Sequence, residues 1–185
     1  MKKFLIAASM AAAALVSTSA MAQAYVSADV GVGHGSVDCT GVSSCDKNST
    51  SFKVTGGYKF GYGFAAELGY IDFGKVTASD DGLSAKITAK AWTLGVAYEV
   101  PFTPELSGVA RLGAASVDTK ISASIVGEGS ASESKTKTEA YYGLGLNYTV
   151  VKNVKVEAGI DWSHADFEGN TAVVRSITAG VRYEF

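Results

Sequence analysis

Residues 93–120 read TLGVAYEVPFTPELSGVARLGAASVDTK, a stretch in which two kinds of residue alternate. In its first half, the bulky residues Leu94, Val96 and Tyr98 alternate with small or charged residues. An alternation of period two is typical of a β-strand whose two faces meet different surroundings. The residues 101–105, PFTPE, interrupt the pattern with turn-forming residues, and the alternation then resumes. This stretch therefore predicts two antiparallel strands joined by a tight turn.

The same periodicity runs through the chain beyond residue 25 and predicts eight strands. Their approximate bounds are 25–34, 51–60, 64–73, 86–100, 106–117, 138–150, 154–164 and 173–185. Short turns alternate with longer polar connections, which fall at 35–50, 74–85, 118–137 and 165–172. An even number of antiparallel strands in up-and-down order can close on itself, and closure leaves no unpaired edge. We therefore predict an all-β fold, an eight-stranded antiparallel up-and-down β-barrel.

The content of the two phases indicates which face of the barrel meets which surroundings. One phase is bulky and aromatic towards both strand ends, and it includes Phe52, Val54, Tyr58, Phe60, Phe64, Leu68, Tyr70, Trp92, Tyr142, Leu144, Tyr148, Val156, Trp162, Ile177, Val181 and Tyr183. The other phase mixes charge with glycine, as in Lys53, Gly57, Glu67, Gly69, Arg111, Gly113, Gly143, Glu157, Gly159, Gly180 and Arg182. The narrow interior of an eight-stranded barrel is filled by side chains, so long charged residues there need neighbours with almost no side chain.

Glycine weakens strands and has no comparable use on a surface that faces water. If the glycine-and-charge phase points inward, the bulky phase points outward and must face lipid, with aromatic girdles at both interfaces. The sequence therefore favours a transmembrane β-barrel over a soluble, lipocalin-like barrel. The predicted lipid face is thinnest in the strand at 106–117, where it consists of Ala110, Leu112 and Ala114.

Residues 1–24 form a predicted secretory signal peptide, and residues 25–185 form the barrel domain. Lys2 and Lys3 precede an apolar run over residues 4–16, and small residues follow it, so we expect cleavage after Ala22 or Ala24. The apolar run is too short to cross a bilayer as a helix. We therefore expect an exported protein.

The composition of the 185 residues sets further bounds on function. A hydrophobic content of 47% excludes a disordered polymer, and 16 Lys+Arg against 18 Asp+Glu argues against nucleic acid as a partner. The two cysteines, Cys39 and Cys45, are expected to form a disulfide in an oxidising, exported location, with free thiols as the alternative. A metal site made by these cysteines with His34 and Asp38 matches no familiar zinc spacing, so we predict no metal and no cofactor.

Catalytic residues are also not expected. The chain has two histidines, and only His164 lies beside a serine, Ser163, with Asp161 and Asp166 close in sequence. Adjacent residues of a strand point to opposite faces, so Ser163 and His164 cannot readily act as nucleophile and base. We therefore predict that the protein is not an enzyme.

Several stretches resemble the eight-stranded transmembrane domain of outer membrane protein A and its small relatives. They are residues 93–120 quoted above, FAAELGY at 64–70, LNYTVVKNVKVEAGIDW at 146–162 and the closing VRYEF. The resemblance covers essentially the whole chain after the signal peptide. It implies a location in the outer membrane of a Gram-negative bacterium. It also implies that Tyr183 and Phe185 form the signal that the outer-membrane assembly machinery recognises.

The resemblance further implies a cluster of acidic and basic side chains inside the barrel. Glu67, Arg111 and Glu157 match family positions in this cluster, whereas Ala97 stands where the family has a basic residue. The gating pair of the family is therefore not carried over to this chain. Because the sequence ends at Phe185, we expect no periplasmic peptidoglycan-binding domain and no cell-wall anchoring.

The inward-facing charges are the first candidate for function. Glu67, Arg111, Glu157 and Asp161 form the expected lumenal cluster, with Glu99 and Lys155 as further members. Such charges could line an ion path, but an eight-stranded barrel leaves no continuous channel once its interior is filled. We therefore expect a satisfied network of salt bridges that closes the lumen.

The expected function is a structural or surface-interaction role in the outer membrane. The alternatives are an adhesin or host-defence protein acting through its outer loops, a small low-conductance porin, and a lipid A-modifying enzyme. We expect a monomer whose partners are outer-membrane lipid and lipopolysaccharide and the assembly machinery. The loops at 35–50 and 118–137 are the expected sites for a host or surface ligand.

Overall fold

The computed structural model of the chain describes residues 23–36, 44–80, 83–125, 129–167 and 170–185. They form nine strands: β1 (Ala24–Gly35), β2 (Ser44–Asp46), β3 (Asn48–Gly61), β4 (Phe64–Asp80), β5 (Leu83–Pro101), β6 (Leu106–Ile125), β7 (Gly129–Val151), β8 (Val154–Phe167) and β9 (Asn170–Glu184). Among the described residues, no helix is both long enough and apolar enough to cross a membrane. Residues 1–22 of the predicted signal peptide lie outside the described residues, whereas Ala24 already belongs to β1.

Eight of the strands close into one antiparallel barrel, which confirms the predicted fold. Neighbours along the sequence pair with each other, and β9 returns to pair with β1 from Tyr25 opposite Glu184 to Gly35 opposite Val174. The remaining strand, β2, has 3 residues and extends the sheet beside the far end of β4. Closure gives each barrel strand a hydrogen-bonded neighbour on both sides, which is the condition for crossing lipid with strands.

The two phases of each strand point as the sequence predicts. The bulky phase lies on the outside, where Leu94 is 66% exposed and Leu112 is 68% exposed. The other phase lies inside, where Glu67, Arg111 and Glu157 are buried. An outward apolar surface with buried inward charges is the arrangement of a transmembrane barrel and the reverse of a soluble one.

The two ends of the barrel differ. At the short-turn end, the connections are 62–63, 102–105 and 152–153, and left-handed backbone occurs at Tyr62 (φ 54°) and Asn153 (φ 70°). At the opposite end, the long-hairpin end, β5, β6 and β7 reach 19, 20 and 23 residues. A tilted strand crosses a bilayer in about 9–11 residues. These strands therefore continue well beyond the membrane.

The strands are longer than the sequence predicts. Residues 118–137 were expected to be a long polar connection, yet β6 runs to Ile125 and β7 begins at Gly129. Residues 74–85 are likewise strand up to Asp80 and from Leu83. Apart from Val76, Leu83, Ile121 and Ile125, these extensions consist of small or polar residues, so their hydrophobic periodicity is weak although the backbone pairing continues.

Candidate functional site

The inward-facing charges form a connected group that we call the central charge network. Its members are Asp29, Lys53, Glu67, Arg111, Glu157, Asp161 and Arg182, all of them buried. They come from six different strands, β1, β3, β4, β6, β8 and β9. The closed topology, and not proximity in the sequence, therefore brings these side chains together.

Glu67 is held from two sides. The Nε of Arg111 donates to its Oε2 at 2.9 Å, and the hydroxyl of Tyr25 donates to its Oε1 at 2.5 Å. The centroid of the Tyr25 ring in turn lies 4.2 Å from the guanidinium carbon of Arg182. Both oxygens of this buried carboxylate are therefore hydrogen-bonded.

A second carboxylate, Asp161, lies in the same layer. Lys53 donates from Nζ to its Oδ2 at 2.9 Å, and the Tyr141 hydroxyl donates to its Oδ1 at 2.6 Å. Lys53 also lies 4.0 Å from Oδ2 of Asp29. One ammonium group thus serves two buried carboxylates.

Glu157 joins the two guanidinium groups of the network. Arg182 reaches its Oε2 at 2.9 Å from Nε and at 2.8 Å from Nη2, while Nη2 of Arg111 lies 3.8 Å from the same oxygen. Breaking a buried ion pair by removing one partner typically costs about 3–5 kcal/mol, because the other charge is left uncompensated. The network therefore depends on every member being present.

A second group of charges, the short-turn charge ring, lies closer to the short turns. It consists of Lys59, Glu99, Lys155 and Glu184. Each lysine bridges both glutamates: Lys59 at 3.5 Å to Glu99 and 2.7 Å to Glu184, and Lys155 at 2.9 Å and 3.0 Å. Nη1 of Arg182 lies 3.6 Å from Oε2 of Glu99 and so connects the ring to the central charge network.

Two glycines provide the space that these charges and their partners occupy. A Cβ added at Gly57 would overlap the Tyr25 ring, and one added at Gly143 would lie 2.6 Å from Oδ1 of Asp161. This is the arrangement that the glycine-and-charge phase predicts for a narrow barrel.

The sequence predicts part of this site. The structure brings Glu67, Arg111, Glu157 and Asp161 together inside the barrel, and places Glu99 and Lys155 in the short-turn charge ring. Sequence reasoning placed Lys53 and Arg182 in the inward phase but not in the lumenal cluster, and it missed Asp29, Tyr25 and Tyr141. Strand parity would have found Asp29, because Asp29 shares its phase with Gly31 and Gly33 and alternates with Val30 and Val32.

Buried apolar side chains lie on either side of the charges. Towards the long-hairpin end, one buried cluster comprises Ile71, Phe73, Ala89, Ala91, Ala115, Val117, Tyr141 and Val174. Towards the short-turn end, a smaller one comprises Tyr25, Ala65, Ala97 and Val109. Ala97 belongs to this apolar cluster and lies opposite Arg111 in the register.

A cavity of about 380 Å³ opens at the short-turn end. Its apolar walls include Tyr25, Ala65, Ala97 and Val109, and the charged residues Lys59, Glu99, Lys155 and Arg182 also line it. The charged side chains around it are engaged with each other in the short-turn charge ring.

The two histidines lie apart from this interior. Nδ1 of His34 lies 2.8 Å from Oδ1 of Asn48, and the ring of His164 packs against Tyr142 with centroids 6.3 Å apart. Ser163 is buried and donates to the carbonyl of Ala140 at 3.1 Å. Ser163 and His164 therefore lie on opposite faces of β8, as strand parity predicts. No group of three potential metal ligands occurs within the described ranges.

Other predicted sites are described only in part. Cys39 lies outside the described residues and only the backbone position of Cys45, in β2, is described, so the disulfide stays a prediction. Tyr183 and Phe185 lie on the outer face with ring centroids 5.1 Å apart. Their role in assembly also stays a prediction.

Comparisons with known proteins give one family and several barrels of the same fold. The family model described as OmpA-like transmembrane domain matches residues 19–185. An uncharacterized protein of Haemophilus influenzae is 30% identical over 190 residues, which cover 100% of both chains.

The similar solved structures include Ail, the attachment invasion locus protein of Yersinia pestis, in complex with the heparin analogue sucrose octasulfate. Ail superposes with a TM-score of 0.58 at 20% identity, and the match covers 87% of this chain and 99% of Ail. Neisserial surface protein A gives a TM-score of 0.60 at 17% identity over 88% of this chain and 97% of its own. OprG of Pseudomonas aeruginosa gives a TM-score of 0.54 at 15% identity, and the match covers 89% of this chain and 97% of OprG. At these identities, the likeness is one of fold.

Proposed function

The chain belongs to the OmpA-like transmembrane domain family of outer-membrane β-barrels, and from this membership we propose a protein with a closed lumen and a structural or surface-interaction role. In this proposal, the chain is exported by its signal peptide, is inserted as a monomer, and presents the long-hairpin end to the cell exterior. Long loops of such barrels face outward and short turns face the periplasm.

The observation that carries the closed lumen is the mutual pairing of the buried charges. Arg111, Arg182 and Lys53 each lie within 4.0 Å of at least one buried carboxylate. An ion that crossed the barrel would have to separate these pairs in a setting of low dielectric constant, which is costly. The apolar cluster around Phe73 and Val117 adds a second obstruction towards the long-hairpin end.

Single-channel recording in planar bilayers tests this proposal. The wild-type protein should give negligible conductance. Glu67→Ser combined with Arg111→Ser removes two paired side chains from the network and should make openings more frequent than in the wild type, while the remaining apolar cluster should keep their conductance small. Stable, large currents from the wild type would contradict the closed lumen. The folding control for both proteins is gel electrophoresis, in which a folded barrel migrates differently before and after heating.

Adhesion through the outer hairpins is the second candidate. The observation that favours it is the length of the β6–β7 hairpin, which rises beyond the membrane with 20 and 23 residues in its strands. Exposed hairpins can bind another protein by strand addition. The structural relative Ail is named for attachment and invasion and has been solved with a heparin analogue.

Deletion of residues 118–137 tests adhesion. Cells that carry the deleted barrel should lose host-cell binding, whereas deletion of the second outer connection, 74–85, should have a smaller effect. Unchanged binding by both variants would remove the adhesin from consideration.

Mass spectrometry of lipid A from cells with and without the protein tests the enzyme alternative, and we expect identical spectra because Ser163 and His164 face opposite sides.

A further inference from the structure

A β-bulge in β4 changes the face on which the next lysine lies. The register between β4 and β5 shifts between Asp72 and Gly74, where Gly74 has φ 88° and donates from its backbone N to Oδ1 of Asp72 at 2.9 Å. Phe73 is the extra residue, and it is buried inside the barrel. After the bulge the phase is inverted, so that Lys75 lies opposite Thr88 on the outer face and is exposed.

Three lysines meet on this outer face, and we call them the lysine triangle: Lys75, Lys86 and Lys120. In the register, Thr88 lies opposite both Lys75 on β4 and Lys120 on β6, and Lys86 is two residues from Thr88 along β5. Neighbouring strands are about 4.8 Å apart and residues rise about 3.3 Å. The backbones of the three lysines therefore lie within roughly 10 Å of each other.

The lysine triangle is not neutralised by its neighbours. Within the described part of the chain, no ion pair engages any of the three. Two acidic residues lie one row closer to the membrane, where Asp72 and Asp118 flank Lys90 in the register. Nζ of Lys90 lies 3.3 Å from Oδ2 of Asp72. Asp46 on β2 lies opposite Thr77, two residues from Lys75 along β4. With Lys90, the outer patch has four lysines against the three carboxylates of Asp46, Asp72 and Asp118, so it keeps a net positive charge that an external anion can neutralise.

The height and direction of the triangle select the kind of anion. Tyr70 and Trp92, whose rings form an edge-to-face pair 5.1 Å apart, mark the membrane interface on the same two strands. Thr88 is four residues farther along β5, which in a tilted strand is on the order of 10 Å above the indole. The triangle points sideways from the barrel wall at this height, into the layer of lipid head groups and not into the open solvent above the loops.

We propose that the lysine triangle binds the phosphorylated sugar head group of an outer-leaflet glycolipid. This inference rests on the proposed placement of the long-hairpin end at the cell exterior. Ammonium groups bind phosphate as point charges, and the Thr88 hydroxyl at the centre of the triangle can donate a hydrogen bond to a phosphate oxygen. The lipid-facing surface below Trp92 then accommodates the acyl chains of the same lipid.

Titration of the full-length protein, folded in neutral detergent, with a fluorescent bis-phosphorylated lipid A-type glycolipid tests the proposal. A lysine near an anionic lipid surface contributes roughly fivefold in affinity. The variant Lys75→Gln, Lys86→Gln, Lys120→Gln should therefore bind on the order of a hundredfold more weakly. The matched control Lys135→Gln, Lys137→Gln, Lys152→Gln changes the net charge equally but leaves the triangle intact, and it should bind within about twofold of wild type.

Two further binding experiments distinguish between the possible ligands of the lysine triangle. The dephosphorylated glycolipid should bind the wild type and the triangle variant alike. Equal binding of the phosphorylated glycolipid by wild type and triangle variant would overturn the proposal, and so would tight, triangle-dependent binding of a soluble sulfated polysaccharide without binding of the glycolipid. Conductance measured on the same preparations reports separately on the closed lumen, so failure of one proposal does not conceal failure of the other.

Discussion

Gly57 determines where the Tyr25 ring can lie, and Tyr25 in turn bonds Glu67 and packs on Arg182. Substitution Gly57→Ala should destabilise the barrel by about 1–3 kcal/mol, because an added methyl group overlaps a ring that is held on both sides. The measurement is equilibrium unfolding in urea in lipid vesicles. Gly56→Ala is the matched control: the position is outward, a Cβ there meets nothing within 4 Å, and stability should be unchanged or slightly higher. Equal destabilisation by both substitutions would contradict this account of Gly57.

Arg111 is the residue whose loss should cost most within the central charge network. Arg111→Met leaves the Glu67 carboxylate with only the Tyr25 hydroxyl as a partner, and it weakens the surroundings of Glu157. The expected loss is about 3–5 kcal/mol in the same unfolding measurement. Adding Glu67→Gln should restore a substantial part, because the unpaired charge is then absent. A double variant no more stable than the single one would show that packing, and not charge, dominates at this position.

The bulge in β4 is a feature of an element that strand alternation did not predict. Strict alternation from Ile71 and Phe73 places Lys75 inside the barrel, whereas the structure places it outside. The signal in the sequence is the pair Asp72 and Gly74, in which a carboxylate can accept from a backbone N–H two residues later while glycine takes the left-handed conformation. Such a pair also occurs in ordinary turns, so it indicates an interruption without specifying a bulge.

Gly74→Ala tests how much the bulge contributes. The left-handed φ of 88° disfavours any side chain, and a Cβ would lie 2.8 Å from Cβ of Ser49. We expect a loss of about 1–3 kcal/mol in unfolding free energy. In addition, a spin label placed at residue 75 should become less accessible to a water-soluble relaxation agent as the bulge is disturbed. Unchanged stability and unchanged accessibility would mean that the bulge is not needed to orient Lys75.

The long hairpins illustrate why element lengths were only partly predictable. In the membrane, the lipid imposes alternation, and the predicted cores of all eight strands are confirmed. Beyond the membrane both faces meet water, so residues such as Ser132 and Ser134 satisfy either face equally. The backbone pairing continues there, whereas large apolar residues are too few to form a clear hydrophobic pattern.

At the level of the whole molecule, closure explains which parts of the interior could be predicted. Strand parity assigns each residue to the inside or the outside of the barrel, and the four residues predicted for the lumenal cluster are buried in the structure. Which charges meet across the interior depends on the stagger between strands, since Lys53 on β3 meets Asp161 on β8 across the lumen. The stagger follows from the complete set of registers, which no single strand specifies.

The vertical position of the barrel in the bilayer gives a prediction for the molecule as a whole. The two tryptophans, Trp92 and Trp162, face outward and lie about one membrane span from the short turns, next to Tyr70 and Tyr142 respectively. Tryptophan prefers the interface between head groups and acyl chains. Fluorescence quenching in vesicles of brominated lipids should therefore be strongest with bromine near the head group and weaker with bromine at the end of the acyl chain.

Trp92→Phe and Trp162→Phe should each retain this depth profile, because the remaining tryptophan lies in the same girdle. Maximal quenching at the bilayer centre in either variant would contradict the depth at which we place the long-hairpin end in the membrane. It would also contradict the height that we assign to the lysine triangle.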